Sequence, residues 1–118
     1  MNNDIFKLKE LESLVGHRFN DPNVLKQALT HASLERSSWN VYERLEFLGD
    51  RVLGLVVSET LLKRFPNERE GQISRRYANL VKRDSLAVVA RKIKFGDYLL
   101  ISAGEEAAGA RESLTILS

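Results

Sequence analysis

Apolar residues recur at helical spacing along most of the chain, and turn residues separate the apolar segments. The first predicted helix covers residues 4–15 and has four apolar residues at this spacing: Ile5, Leu8, Leu11 and Val15. Gly16 follows directly and is expected to end it. Asp21 and Pro22 are typical of a second helix start, because aspartate caps free N–H groups and proline is tolerated at the first helical position.

The longest predicted helix covers residues 41–65, and Pro66 ends it. One side of this helix carries only leucine and valine, which predicts the face that packs into the core. This predicted core stripe consists of Leu45, Leu48, Val52, Leu55 and Val56.

Further helices are predicted in the second half of the chain. One begins near Gly71, and another is capped by Asp84 or Ser85 and ended by Gly96. Residues 102–112 are rich in small side chains and are expected to form a loop. A last helix is expected to start at residues 113–118.

No segment alternates with period two, and neither a repeat nor a linker is present, so residues 1–118 predict one all-α domain. The composition, 43% hydrophobic and 29% charged, is typical of such a domain. The absence of cysteine excludes disulfides, thiolate metal sites and a cysteine nucleophile. The longest apolar run is six residues, whereas a membrane span needs about 20, so we expect no membrane association and a cytoplasmic location.

Positive charge is concentrated in residues 75–94, where seven basic residues stand against Asp84 alone. Such a cluster suits a polyanionic partner such as a nucleic acid. A solvated helix face explains the same cluster equally simply.

Three carboxylates lie on one face of the long predicted helix. At about 100° per residue, Glu43, Glu46 and Asp50 fall within a sector of about 60°. Glu46 and Asp50 are four residues apart, a like-charge spacing that destabilises an isolated helix slightly. Two interpretations remain: solvated surface charges, paired with Arg44 or Arg51 if they support the fold, or ligands for a hard divalent cation.

Two unusual residues lie beside these acids. Phe47 either packs under a loop of its own chain or contacts another subunit, because an aromatic on a polar face usually has a partner surface. Gly54 weakens the helix, so it indicates a close approach by another backbone.

The segment at residues 43–50, Glu-Arg-Leu-Glu-Phe-Leu-Gly-Asp, closely resembles the signature of the ribonuclease III endonuclease domain. Segments at residues 28–33, 70–74 and 95–99 also resemble stretches of that family, in the same order. The resemblance covers roughly residues 8–118, nearly the whole chain.

This resemblance implies an all-helical fold with a long central signature helix, a homodimer, and Mg²⁺-dependent cleavage of double-stranded RNA, including ribosomal RNA precursors. Mn²⁺ would be able to replace Mg²⁺. Glu46 and Asp50 match the catalytic and metal-binding acids of the family. Glu43 matches an acid near the RNA, and Phe47 matches an aromatic inserted into the partner subunit.

The chain also departs from the family pattern. A second acidic pair, Asp-x-x-Glu, would directly follow Ser118, so we expect the domain to be incomplete at its C-terminus and the activity of these 118 residues alone to be in question. The chain includes no double-stranded-RNA-binding domain, and Tyr77 stands where the family more often has arginine. A non-catalytic RNA-binding or ribonucleoprotein-scaffold member of the fold is the alternative function, and the presence of Glu46 and Asp50 favours the enzyme.

Overall fold

The computed structural model describes residues 2–34 and 41–112, which contain six α-helices. These are α1 (Asn2–Val15), α2 (Pro22–Leu29), α3 (Val41–Arg64), α4 (Glu70–Val81), α5 (Arg83–Lys92) and α6 (Ala103–Ala107). Three short 3₁₀ turns lie at Ala32–Leu34, Phe95–Tyr98 and Ala110–Glu112. Within these ranges no β-strand occurs, only one isolated bridge between Thr30 and Leu100, so the predicted all-α fold is confirmed. None of the described helices is both long and apolar enough to cross a bilayer.

The predicted end of the first helix and the predicted start of the second helix are confirmed. Gly16 follows α1 with a φ of 72°, a conformation that glycine adopts without a steric penalty. Asp21 caps α2, because its side-chain oxygen accepts a hydrogen bond from the N–H of Asn23 at 3.0 Å.

The predicted cap of α5 was wrong. The helix begins at Arg83, with Lys82 as its N-cap, so Asp84 lies inside the first turn. The Ser85 hydroxyl instead donates a hydrogen bond to the carbonyl of Asn79 at 2.6 Å and so connects α5 to α4. Gly96 does not end the helix either, because the left-handed residue after α5 is Lys94, with a φ of 56°.

The predicted loop over residues 102–112 was also wrong. It contains α6 and the last 3₁₀ turn, since a run of alanines and glutamates favours helix once its start is capped. The cap is Ser102, whose hydroxyl accepts a hydrogen bond from the N–H of Glu105 at 3.3 Å. The helix start predicted at residues 113–118 lies outside the described residues.

The core lies between α1, α2, α5 and the segment at residues 95–101. Its buried members are all leucine or alanine: Leu11, Leu25, Leu29, Ala87, Ala90 and Leu99. The long helix α3 packs beside this core, against α2 and α4. These two contacts fix the position of α3 relative to the core.

The predicted core stripe of α3 was wrong. Leu48, Val52, Leu55 and Val56 are between 52% and 69% exposed, and Leu45 is only half-buried. The helix packs instead through another side, where Leu61 is buried. The reason is that α3 is apolar on two sides, and α2 and α4 cover the side that also carries the acids.

Hydrogen bonds connect the residues before α3 to the second half of the chain. The N–H of His31 donates to the carbonyl of Leu100 at 2.8 Å. The N–H of Ser102 donates to the hydroxyl of Ser33 at 3.2 Å. Segments about 70 residues apart in sequence therefore lie side by side.

Arg111 fastens the last described turn to the 3₁₀ turn at Phe95–Tyr98. Its Nη1 donates to the carbonyls of Gly96 and Leu99, both at 2.8 Å, and its Nε donates to Glu106 at 2.7 Å. Gly96 is buried against the backbone of Arg111, where no Cβ would fit.

An ion pair supports the junction of α3 and α4. The guanidinium of Arg76 donates to both carboxylate oxygens of Glu68 at 2.7 Å and lies 3.7 Å from the ring centroid of Phe65. These hydrogen bonds and the positive charge of Arg76 lower the pKa of Glu68 from its ordinary value of 4.5.

We expect the stabilising effect of this pair to depend on pH. Because the pKa of Glu68 is lowered by folding, the pair stabilises the fold above pH 4.5, and the effect is lost as the pH falls through the lowered pKa. Glu68→Gln should therefore lower the melting temperature at neutral pH, and the difference from wild type should vanish in acid. Scanning fluorimetry across pH measures this difference. A difference that does not change with pH would contradict the assignment, and Arg76→Lys, which keeps the charge without the paired geometry, should fall between the two proteins.

Candidate active site

The three predicted site acids all lie in the first half of α3. Glu43, Glu46 and Asp50 have exposed side chains and lie on the side of α3 that, farther along the helix, packs against its neighbours. Glu46 and Asp50 are one helical turn apart, so their Cβ atoms are about 5–6 Å from each other. The structure therefore brings these two carboxylates together on one accessible surface.

Neither Glu46 nor Asp50 forms an ion pair with a described residue, and the interpretation that Arg51 neutralises them is wrong. The guanidinium of Arg51 lies 3.7 Å from the ring centroid of Phe47 and donates to the carbonyl of Phe47 at 3.2 Å. The two carboxylates remain available for a ligand.

The donor set fits a hydrated divalent cation. The described residues contain no group of three or more side chains that could enclose a metal. Mg²⁺ commonly binds proteins through one or two carboxylates and keeps several of its waters. Glu46 and Asp50 offer this arrangement for Mg²⁺ or Mn²⁺, but they do not form a closed protein cage.

Tyr42 lies one turn before Glu46 and was not predicted as part of the site. Burial raises the pKa of Tyr42, and the negative charge of Glu46 raises it further. The phenol therefore stays neutral beside the acids at physiological pH. The sequence signal for this contact is an aromatic residue four positions before an acid, because side chains at this spacing are neighbours on a helix.

Asp50 also lines a cleft of about 550 Å³ between α3 and α4. Gly54 and Tyr77 line the same cleft, and a Cβ on Gly54 would lie only 2.7 Å from the Tyr77 hydroxyl oxygen. The close approach predicted at Gly54 is confirmed, but a phenol makes it rather than another backbone. Sequence analysis noted Tyr77 only as a departure from a family pattern.

Phe47 is 63% exposed and is not packed under any described loop of its own chain. Among the described side chains, the guanidinium of Arg51 is the group that stacks on its ring. The interpretation as a surface for a partner therefore remains a prediction, whereas packing under a described loop is not observed.

The basic cluster of residues 75–94 is exposed on α4, α5 and the turn after them. The guanidinium of Arg76 forms an ion pair with Glu68, so Arg76 supports the fold and does not contribute an unpaired positive charge to the surface. The remaining exposed residues that form no ion pair with any described residue are Arg75, Lys82, Arg83, Lys92 and Lys94.

The family to which this chain belongs follows from comparison with known proteins. A family model described as Ribonuclease-III-like matches residues 21–118, most of the chain and all of α2 to α6. The chain belongs to the ribonuclease-III-like family. The resemblance at residues 43–50 is thereby confirmed at the level of the family.

Curated relatives agree with this assignment. The chain is 46% identical over 112 residues to a Ribonuclease 3 of Histophilus somni, which covers 95% of this chain and 49% of the relative. It is 48% identical over 103 residues to a Ribonuclease 3 of Dinoroseobacter shibae, covering 87% of this chain and 45% of that protein. The chain thus spans about half the length of these relatives.

A solved structure shows the same fold. The nuclease domain of ribonuclease III from Campylobacter jejuni superposes with a TM-score of 0.83 at 45% identity, covering 95% of this chain and 75% of that one. That structure is described as showing flexibility in a region involved in dimer formation. The all-helical ribonuclease III fold predicted from the signature is confirmed.

The unpaired acids lead to a prediction about stability. In chelator, Glu46→Gln and Asp50→Asn should leave the free energy of unfolding unchanged or raise it by about 0.2–0.5 kcal/mol, because each removes like-charge repulsion on the helix. Urea denaturation followed by circular dichroism measures the change. Glu59→Gln is the matched control on the same helix, because Glu59 pairs with Lys63 and its loss should not stabilise the protein. Clear destabilisation by either site variant would mean that the acids support the fold.

Proposed function

We propose that the native protein is a metal-dependent endoribonuclease that cleaves double-stranded RNA. The observation that carries this proposal is that two exposed carboxylates beside a cleft, Glu46 and Asp50, form no ion pair with any described residue, in a chain of the ribonuclease-III-like family. Two like charges four residues apart do not stabilise the helix, so a ligand is the better explanation of the pair.

In this proposal, Glu46 and Asp50 hold Mg²⁺, for which Mn²⁺ can substitute, and they are the catalytic acids. When bound, such a cation activates a water and stabilises charge on the phosphodiester that is cleaved. The two carboxylates orient their ligand from a helix that packs on α2 and α4, so their backbone positions are fixed. Glu43, one turn before Phe47 on the exposed side, lies toward the RNA.

The basic residues of α4 and α5 supply the RNA contacts in this proposal. Double-stranded RNA is recognised mainly through its shape, phosphates and 2′-hydroxyls, so exposed lysines and arginines suffice without reading bases. Lys82 lies between the two helices and Arg83 begins α5, and neither forms an ion pair with any described residue, which makes them the best candidates. Ribosomal RNA precursors in the cytoplasm are the substrates that we propose.

Two further carboxylates complete the site in this proposal. Only two acids converge among the described residues, and a two-acid site holds a cation weakly. We place the second pair outside the described residues, as an Asp-x-x-Glu segment. Acids at this spacing share one helix face. Residues 1–118 are then most of one nuclease domain.

The proposal includes a homodimer formed through α3. Phe47 and the stripe formed by Leu48, Val52, Leu55 and Val56 leave an apolar surface exposed along this helix. Surfaces of this kind usually contact a partner. The described dimer-forming region in the Campylobacter jejuni nuclease domain supports a dimer in this family.

Cleavage assays on the native protein test the catalytic assignment. Glu46→Gln and Asp50→Asn should each reduce Mg²⁺-dependent cleavage of duplex RNA by at least 100-fold, roughly the loss expected when a metal ligand is removed. Affinity for the RNA, measured in Ca²⁺ or chelator by gel shift, should change much less, because phosphate contacts come from the basic residues.

Two controls sharpen this experiment. Glu59→Gln removes another exposed acid of α3 and should cleave at the wild-type rate. Lys82→Ala combined with Arg83→Ala should show the opposite pattern, with weaker and less salt-dependent RNA binding. Wild-type cleavage by Asp50→Asn would refute the catalytic assignment, and RNA binding by a wild-type protein that never cleaves would support the scaffold alternative.

The dimer is tested by a second substitution. Phe47→Ala should weaken self-association by about 2 kcal/mol or more, roughly 30-fold in the dissociation constant, because it truncates an aromatic side chain that the proposed dimer would bury. Sedimentation velocity over a concentration series measures the change, with circular dichroism on the same samples. Phe6→Ala is the matched control, because Phe6 is equally exposed, at 68%, but lies on α1. If both variants weaken self-association equally, or if Phe47→Ala has no effect, then Phe47 is an ordinary surface residue and not a dimer contact.

A further inference from the structure

The cleft beside Asp50 contains a polar group that the proposed mechanism does not use. Tyr77 lies on α4, is half-buried, and lines the cleft together with Asp50 and Ser58. Its hydroxyl makes no hydrogen bond within the described part of the chain. A partly buried phenol hydroxyl usually has a hydrogen-bond partner, and the cleft offers this hydroxyl a place for a water or a ligand.

Gly54 determines where this hydroxyl lies. The position that a Cβ of Gly54 would occupy is 2.7 Å from the Tyr77 hydroxyl oxygen, closer than a real Cβ could remain. It is 3.7 Å from the ring carbon Cζ, which is ordinary van der Waals contact. The glycine therefore makes room for the hydroxyl itself, and not for the aromatic ring.

The same glycine relates the hydroxyl to the acid. Gly54 follows Asp50 by one helical turn, so the two Cβ positions are about 5–6 Å apart on one side of α3. Asp50 and Tyr77 line the same cleft, where one water can bond to two groups through hydrogen bonds of about 2.8 Å each. The cleft, at about 550 Å³, has ample room for such a water, which occupies roughly 30 Å³ in the liquid.

We propose that Tyr77 is a positioning residue for Asp50, and that its hydroxyl, placed by Gly54, bonds through one water to the Asp50 carboxylate and fixes its orientation toward the cation. Hydrogen bonds to a metal-binding carboxylate orient it and strengthen binding, and their loss typically costs 10–100-fold in metal affinity. This inference rests on the proposed function, because it assigns Asp50 to a metal site.

Metal binding without RNA is the direct test. In the native protein, Tyr77→Phe should weaken binding of Mn²⁺ alone by roughly 10-fold, measured by electron paramagnetic resonance or calorimetry, while melting temperature in chelator and RNA affinity stay unchanged. Tyr98→Phe removes the same atom from a half-buried tyrosine outside the cleft and should bind Mn²⁺ normally. Unchanged affinity in Tyr77→Phe, or an equal loss in Tyr98→Phe, would overturn the proposal.

A double-mutant cycle with Gly54 tests the geometry separately. Gly54→Ala displaces the hydroxyl and should lower Mn²⁺ affinity to the level of Tyr77→Phe. Adding Gly54→Ala to Tyr77→Phe should cause no further loss, since only Cζ then faces the new methyl at 3.7 Å. Additive losses would overturn the proposed connection between the two residues.

Asp50→Asn distinguishes failure of the positioning role of Tyr77 from failure of the metal site itself. If Asp50→Asn loses Mn²⁺ binding while Tyr77→Phe does not, the proposed metal site stands and the positioning role fails. If Asp50→Asn binds Mn²⁺ as well as wild type, the metal site itself is refuted, and the role of Tyr77 with it.

Discussion

The structure depends on one helix that is apolar on two sides and is covered on one of them. The side of α3 that contains Leu53, Val57 and Leu61 packs on α2 and α4, and this contact gives the helix a fixed position beside the core. The other side presents leucine and valine to solvent. Exposed leucines and valines on a helix of this kind favour contact with another apolar surface. The acids lie on the covered side, nearer the N-terminal end of the helix, and their side chains are exposed to solvent.

Much of the fold was predictable because its signals are local. A helix end depends on a few neighbouring residues, so Gly16, Asp21 and Pro66 marked ends that the structure contains. The caps of α5 and α6 were less predictable, because several polar residues compete at each end. Ser85 bonds to the preceding helix, whereas Ser102 caps its own. Both are serines near a helix start, and only the path of the chain separates them.

The placement of α3 could not be predicted from its periodicity. When apolar residues occupy two sides of a helix, spacing alone does not tell which side meets the core, and the more continuous stripe was the wrong choice. The candidate site shows the same division. Glu46 and Asp50 share a face by spacing alone, so sequence sufficed to place them together. Tyr77 comes from a different helix, and its position beside Gly54 follows from tertiary packing that no local pattern contains.

The contacts of Arg111 have a consequence for how the molecule opens. One guanidinium holds the carbonyls of Gly96 and Leu99 while it pairs with Glu106, and the next residues of that segment bond to Ser33 just before α3. Opening of any one of these stretches therefore breaks hydrogen bonds made by another. The region should exchange its amide hydrogens as a single unit, with one opening free energy for residues that are far apart in sequence. Hydrogen bonds thus connect residues that precede the acid-bearing helix in sequence to the segment at residues 95–111.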